Sequence, residues 1–145
     1  MRFGVKTHYT LLALLDMVSQ KQDGPVRLQD IASRQHIPSP YLEQLFNLLK
    51  REGLVAGVRG PNGGYRLACQ PENLPVKMIL EAVEEPLHMT RCSQKSTVGC
   101  QGNESRCAIH GLWEELENHM QAFLASKTLA DLQGVLPASR GTSCV

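Results

Sequence analysis

Apolar residues recur at helical spacing almost from the start of the chain. Leu11, Leu14, Leu15 and Val18, widened by Leu12, predict a helix from residue 7 to about 20, with Thr7 as its N-cap. Gln22-Asp23-Gly24-Pro25 is a turn by composition. Leu28 to about Gln35 predicts a short helix with Leu28, Ile31 and Ala32 inward. Pro38 ends it by pushing Ile37 out of the helical region. Ser39 suits the N-cap of a third helix that runs to about Arg51, with Pro40 tolerated at its first position. Leu42, Leu45, Phe46 and Leu49 form its apolar stripe, and Gln44, Asn47 and Arg51 lie opposite, flanked by Tyr41, Glu43 and Lys50. Gly53 is placed to end it.

The period then changes to two. Leu54 to Arg59 and Tyr65 to Ala68 predict paired strands around the turn Gly60-Pro61-Asn62-Gly63-Gly64. Two helices separated by a short break and followed at once by a glycine-rich hairpin is the order of a winged helix-turn-helix. The second helix of the pair is then the one that enters DNA. The expected fold is mainly α with a small β-hairpin wing, a winged helix-turn-helix plus a long dimerisation helix.

Pro71 to Leu74 is a linker, and a helix is predicted from Val76 to about Glu84 with Met78, Ile79, Ala82 and Val83 inward. Residues 86 to 107 show no periodicity. A long amphipathic helix follows from Ala108 to about Ser126, with Ile109, Leu112, Trp113, Leu116, Met120, Phe123 and Leu124 on one stripe. Such a stripe needs cover, from the first helix or from the same helix of a second chain. Thr128 with Asp131 predicts a capped short helix. The expected organisation is a DNA-binding region over 1–70, a helix and cysteine-bearing loop over 71–107, a dimerisation helix and short helix over 108–133, and a mobile tail over 134–145.

Composition is that of an ordinary globular chain, 42% hydrophobic and 20% charged over 145 residues. No apolar run reaches a membrane span, and no export signal is read at the amino terminus, so a cytoplasmic location is expected. Net charge is +1, but it is unevenly placed. Residues 1–66 carry nine Lys/Arg against five Asp/Glu, and residues 67–145 carry six against nine. The positive bias falls on the winged-helix half, where it permits nucleic-acid binding and does not establish it.

Candidate chemistry sits in the aperiodic segment. The five cysteines are Cys69, Cys92, Cys100, Cys107 and Cys144, an odd number that speaks against a disulfide framework and for metal or redox chemistry. Cys92, Cys100, Cys107 and His110 form C-x7-C-x6-C-x2-H. Thiolates and imidazole suit an iron–sulfur cluster, zinc or copper(I). Zinc sites usually include a close cysteine pair, absent here, although the final C-x2-H keeps zinc open. Cys69 follows a strand and reads as core, and Cys144 lies in the tail. A small redox enzyme is a third reading, without a C-x-x-C pair or a substrate signature to support it.

Tyr41-Leu42-Glu43-Gln44-Leu45-Phe46, the wing Val58-Arg59-Gly60-Pro61-Asn62-Gly63-Gly64-Tyr65 and the run from Arg91-Cys92 to His110-Gly111-Leu112-Trp113 together resemble the Rrf-type bacterial winged-helix regulators. The resemblance covers about residues 1 to 133 and is strongest to the branch that controls iron–sulfur cluster assembly genes. It implies a homodimeric regulator or repressor that binds a palindromic promoter site on double-stranded DNA. It also implies a 2Fe–2S cluster, delivered by the cluster-assembly machinery and held by Cys92, Cys100, Cys107 and His110. Tyr41 and Gln44 would reach base edges, Glu43 would filter sequences, Arg59 would enter the minor groove, and Ser39 and Asn62 would complete the DNA-facing set. The cysteines are spaced more widely than is usual in that branch, and Pro40 stands where a serine is common. A nitric-oxide-responsive branch takes its fourth ligand from the start of the first helix, where His8 stands here. The resemblance thus carries a nitric-oxide-responsive repressor as its alternative.

Overall fold

The computed structural model describes residues 3–20, 24–89 and 106–135. The elements run α1 (Val5–Ser19), α2 (Leu28–Gln35), α3 (Ser39–Arg51), β1 (Val55–Val58), β2 (Gly64–Leu67), α4 (Val76–Ala82), α5 (His110–Ser126) and α6 (Leu129–Val135). No helix among the described residues is long and apolar enough to cross a membrane.

The first three helices and the hairpin surround one core. Leu14, Ile31, Leu42, Phe46 and Leu49 are fully buried in it. The predicted stripe of α3 is the buried one, because residues spaced i, i+3, i+4 and i+7 fall on one side of the helix. The core does not stop at the wing. Leu74, Ile79, Ala82 and Val83 join it, as does Leu129 from the far end of the chain.

Three local expectations shift. Helix α1 is capped at Gly4 and not at Thr7. Thr7 lies inside the helix, buried, and its hydroxyl donates to the Glu85 carboxylate, which also accepts the Gly4 N–H at 3.2 Å. A carboxylate at a helix N-terminus satisfies donors that a cap side chain would otherwise take. Helix α3 begins at Ser39 with Pro38 at the cap position, so Ser39 is already helical and makes no side-chain cap bond. In α4, Met78 is 45% exposed rather than inward, and Leu80 is buried instead. Val76, Ile79, Leu80 and Val83 set the mean inward direction of this helix, and at 100° per residue Met78 falls opposite it.

Buried polar side chains fasten the helices. Asp16 of α1 accepts from Arg34 Nε and Nη2 at 3.0 and 2.6 Å and from Gln35 Nε2 at 2.8 Å, tying α1 to the end of α2. His36 turns the chain between α2 and α3 in the left-handed region, at φ 55°. Gly53, at φ 74°, ends α3 as expected.

The hairpin is antiparallel, with Val55 opposite Leu67 and Gly57 opposite Tyr65. An Ala68 N–H to Leu54 carbonyl bond of 3.0 Å extends the pairing. A single residue, Val26, adds a third edge by exchanging both main-chain bonds with Tyr65 at 2.8 Å. The Tyr65 ring meets Phe46 edge-on, with centroids 5.2 Å apart, so the wing is seated on α3.

Helix α5 divides its predicted stripe in two. Met120 and Leu124 pack with Leu11 and Leu132 on a second apolar cluster formed by Val76, Leu80 and Leu87. Ile109, Leu112, Leu116 and Phe123 face outward and are 42 to 60% exposed. After α5 the chain returns to the core: Lys127 and Leu74 carbonyls accept the Val76 and Leu129 N–H groups at 2.8 and 2.9 Å. Thr128 and Asp131 cap α6 reciprocally, as their spacing predicts.

Candidate nucleic-acid interface and metal centre

Because α3 buries Leu42, Leu45, Phe46 and Leu49, its opposite side is free, and Glu43, Gln44 and Asn47 are exposed there. Glu43 and Asn47 form one wall of a groove. The facing walls come from Arg27 and Gln29 at the start of α2 and from Gly60 and Pro61 of the wing. On the other side of the hairpin, Arg59 and Lys50 line a second hollow with Gly57 and Tyr65. Asn62 opens onto a third, polar cleft with Arg27, Asp30 and Arg34.

The glycines at the tip are required by close approach. A Cβ on Gly63 would stand 2.4 Å from the Val58 carbonyl, and one on Gly64 would stand 2.4 Å from the Val26 carbonyl. Gly60 adopts φ 119°. Arg59, Gly60 and Asn62 are exposed at the tip, so a side chain there is free to enter a groove.

Tyr41 and Ser39 are the less exposed members of the predicted set. Tyr41 is half-buried, and its ring meets Tyr9 edge-on with centroids 5.8 Å apart. Ser39 is half-buried at the first position of α3.

Of the expected metal ligands, Cys92 and Cys100 lie outside the described residues. Cys107 and His110 are described. His110 is the first residue of α5, and its N–H donates to the Cys107 carbonyl at 3.0 Å, which places the two residues in one turn. Cys107 is half-buried and His110 is buried. Glu114, one turn on, approaches His110 Nε2 to 4.0 Å and pairs with Arg106 at 3.3 Å. A thiol and an imidazole three residues apart in the turn that leads into α5 are donors that suit a soft or borderline metal. Among the described residues, no group of three or more candidate ligands is gathered. His8 is exposed on α1, with its ring 6.3 Å from that of Tyr9.

Two residues of consequence have only a weak signal in the sequence. Arg27 reads as one more surface charge, since its partner in the wing, Pro61, lies 34 residues away. Glu117 reads as a polar flank of α5, yet it is only 4% exposed. Its carboxylate contacts His88 Nδ1 at 2.9 Å and accepts the Met89 N–H at 3.1 Å and Gln121 Nε2 at 3.1 Å. Burial pushes this carboxyl up, but the His88 and Met89 hydrogen bonds outweigh it and hold Glu117 below the usual carboxylate range. An acid inside an apolar stripe is the signal that could have found it.

Known proteins share this architecture. The chain is 45% identical over 132 residues to the HTH-type transcriptional regulator IscR of Aliivibrio salmonicida, covering 91% of this chain and 77% of that protein. It is 46% identical to IscR of Yersinia enterocolitica, with 91% and 79% covered. Among solved structures, T. potens IscR matches with a TM-score of 0.75 at 30% identity, covering 99% of this chain and 94% of the other. CymR, the global cysteine regulator of B. subtilis, matches with a TM-score of 0.78 at 26% identity, covering 94% and 99%. The family model for iron-dependent transcriptional regulators matches residues 3–134, and the chain belongs to that family, Rrf2.

Proposed function

We propose that the chain is a cytoplasmic transcription regulator that binds double-stranded DNA as a homodimer and responds to an iron–sulfur cluster to control cluster-assembly genes. Its relatives are named transcriptional regulators, which sets enzyme chemistry aside. The observation that carries the reading is the pairing of an exposed α3 face, bearing Glu43, Gln44 and Asn47, with a tip-exposed glycine-rich wing that carries Arg59. A helix suits the major groove, and an arginine on a slim hairpin suits a narrow minor groove. Tyr41, Ser39 and Asn62 would join Gln44, Glu43 and Arg59 at the DNA. The exposed apolar side of α5 supplies a self-complementary surface for two-fold pairing, which gives two wings and a palindromic site.

Cys92, Cys100, Cys107 and His110 would hold a 2Fe–2S cluster received from the assembly machinery. When bound, the cluster supplies a redox-sensitive centre that can be lost and regained. His110 and Cys107 stand at the head of α5, so occupancy bears directly on the helix that carries the pairing surface.

Anaerobic purification followed by visible absorption and iron and sulfide analysis tests the cofactor. A coloured protein with matched iron and sulfide is expected, and Cys107→Ala abolishes the colour while Cys69→Ala keeps it. A colourless protein carrying stoichiometric zinc overturns the cluster. On a duplex selected from a random pool, Gln44→Ala should cost about 1–3 kcal/mol of specific binding and spare non-specific binding. Equal losses on selected and random DNA overturn base reading by α3.

A further inference from the structure

Three of the five tip residues Gly60-Pro61-Asn62-Gly63-Gly64 lack a side chain to steady them. Within the hairpin, the tip is closed by the Gly63 N–H donating to the Gly60 carbonyl at 2.9 Å, and the remaining constraints come from outside it. Val26 holds Tyr65 by two main-chain bonds of 2.8 Å, and Gly64 is pressed against the Val26 carbonyl. One residue later, the Arg27 guanidinium donates from Nη2 to the Pro61 carbonyl at 2.6 Å, directly at the tip. The Arg27 main chain is itself fixed. Its carbonyl accepts the Asp30 and Ile31 N–H groups at 3.1 and 3.3 Å in the first turn of α2. Helix α2 is in turn locked to α1 through Arg34 and Asp16.

We propose that Arg27 is a positioning residue for the wing. It clamps the tip carbonyl to the start of α2 and sets the gap between the hairpin and the exposed face of α3. Arg27, Glu43 and Pro61 line the same groove, so the clamp closes one end of it. DNA that fills the major groove with α3 and the minor groove with Arg59 must match that gap. A loose tip would lose the wing's share of the binding and keep the helix's share. The DNA half of the proposal rests on the DNA-binding reading above, and the clamp itself does not.

Two measurements on the full chain separate these halves. Hydrogen exchange in the free protein reads the clamp. Arg27→Ala should speed exchange of the Gly63 amide several-fold and leave the α3 amides unchanged, and Arg27→Lys should restore part of the protection. Unchanged Gly63 exchange overturns the clamp whatever happens on DNA. A double-mutant cycle in gel-shift titrations, on a duplex selected from a random pool, reads its consequence. Arg27→Ala should weaken binding about fivefold in the native background, as for loss of one exposed charge-assisted bond. In the Arg59→Ala background it should cost less than about twofold, because the two residues act through one element. Equal losses in both backgrounds overturn the proposal and make Arg27 a direct phosphate contact. If Arg59→Ala alone leaves affinity unchanged, the minor-groove reading of the wing fails, and the Gly63 exchange result alone decides the clamp.

Discussion

The winged-helix half and helix α5 treat the same kind of residue in opposite ways. In α3 every member of the apolar stripe is buried within the chain. In α5 the stripe is broader than the domain it packs on: Met120 and Leu124 are covered, while Leu112 and Phe123 stay about 60% exposed. The contrast teaches that helical periodicity reports that a face must be covered and does not report by what. Inside α1–α3 the cover is the same chain. On α5 the uncovered leucines, Leu112 and Leu116, are about half exposed, and burying the rest of each would contribute on the order of 1 kcal/mol. A second copy of the chain is the cover proposed for them.

The contrast can be broken by substitution. Phe46→Ala removes a fully buried ring and should lower unfolding stability by about 3–5 kcal/mol in urea titrations. Leu112→Asp, at an equally apolar position, should leave the fold intact and weaken self-association at least about tenfold by sedimentation. A wild-type chain that sediments as a stable monomer at micromolar concentration removes the assigned cover for α5.

Smaller effects sharpen the boundary between the covered and uncovered sides. Glu117 lies on the covered side and pins His88 and Met89 to α5. Glu117→Ala should cost about 0.5–1.5 kcal/mol, because the half-buried Met89 N–H loses its acceptor. The sign with pH follows from its lowered pKa. A carboxyl depressed in the folded state stabilises fully above its ordinary value of 4.5, and that contribution is lost as pH falls through the lower folded value. Wild type should therefore lose stability more steeply than Glu117→Gln on acidification, by urea midpoints, and equal slopes would remove the role. Asp131→Ala, at the exposed cap of α6, should cost about 0.5–2 kcal/mol in the same assay.

The bounds of α2 and the end of α3 were legible because proline, glycine and periodicity agree there. The strand ends missed by a residue, since Leu54 continues the alternation while its side chain turns into the core. The cap of α1 was not legible, because its acceptor, Glu85, is 81 residues from Gly4. Glu117 and Arg27 carry only weak local signals, because the partners that fix them come largely from other elements. The wing and the exposed face of α3 were legible as structure because the patterns that make them are local in sequence. The proposed metal centre is legible only as a donor set, of which Cys107 and His110 share one turn.

Leu129 gives this fold an order of assembly. It is fully buried among residues that precede it by more than forty positions, stitched to Leu74 by a main-chain bond. A chain emerging from the ribosome therefore presents the winged helix first, with a vacancy the size of one leucine side chain in its core. Such a gap costs about 2–5 kcal/mol, much of the stability of a small domain. The DNA-reading half would remain a loosely closed intermediate during synthesis. It becomes fully stable only when α5 has been made and the segment behind it has come back to plug the core, so a nascent chain halted within α5 should be far more sensitive to protease than the finished one.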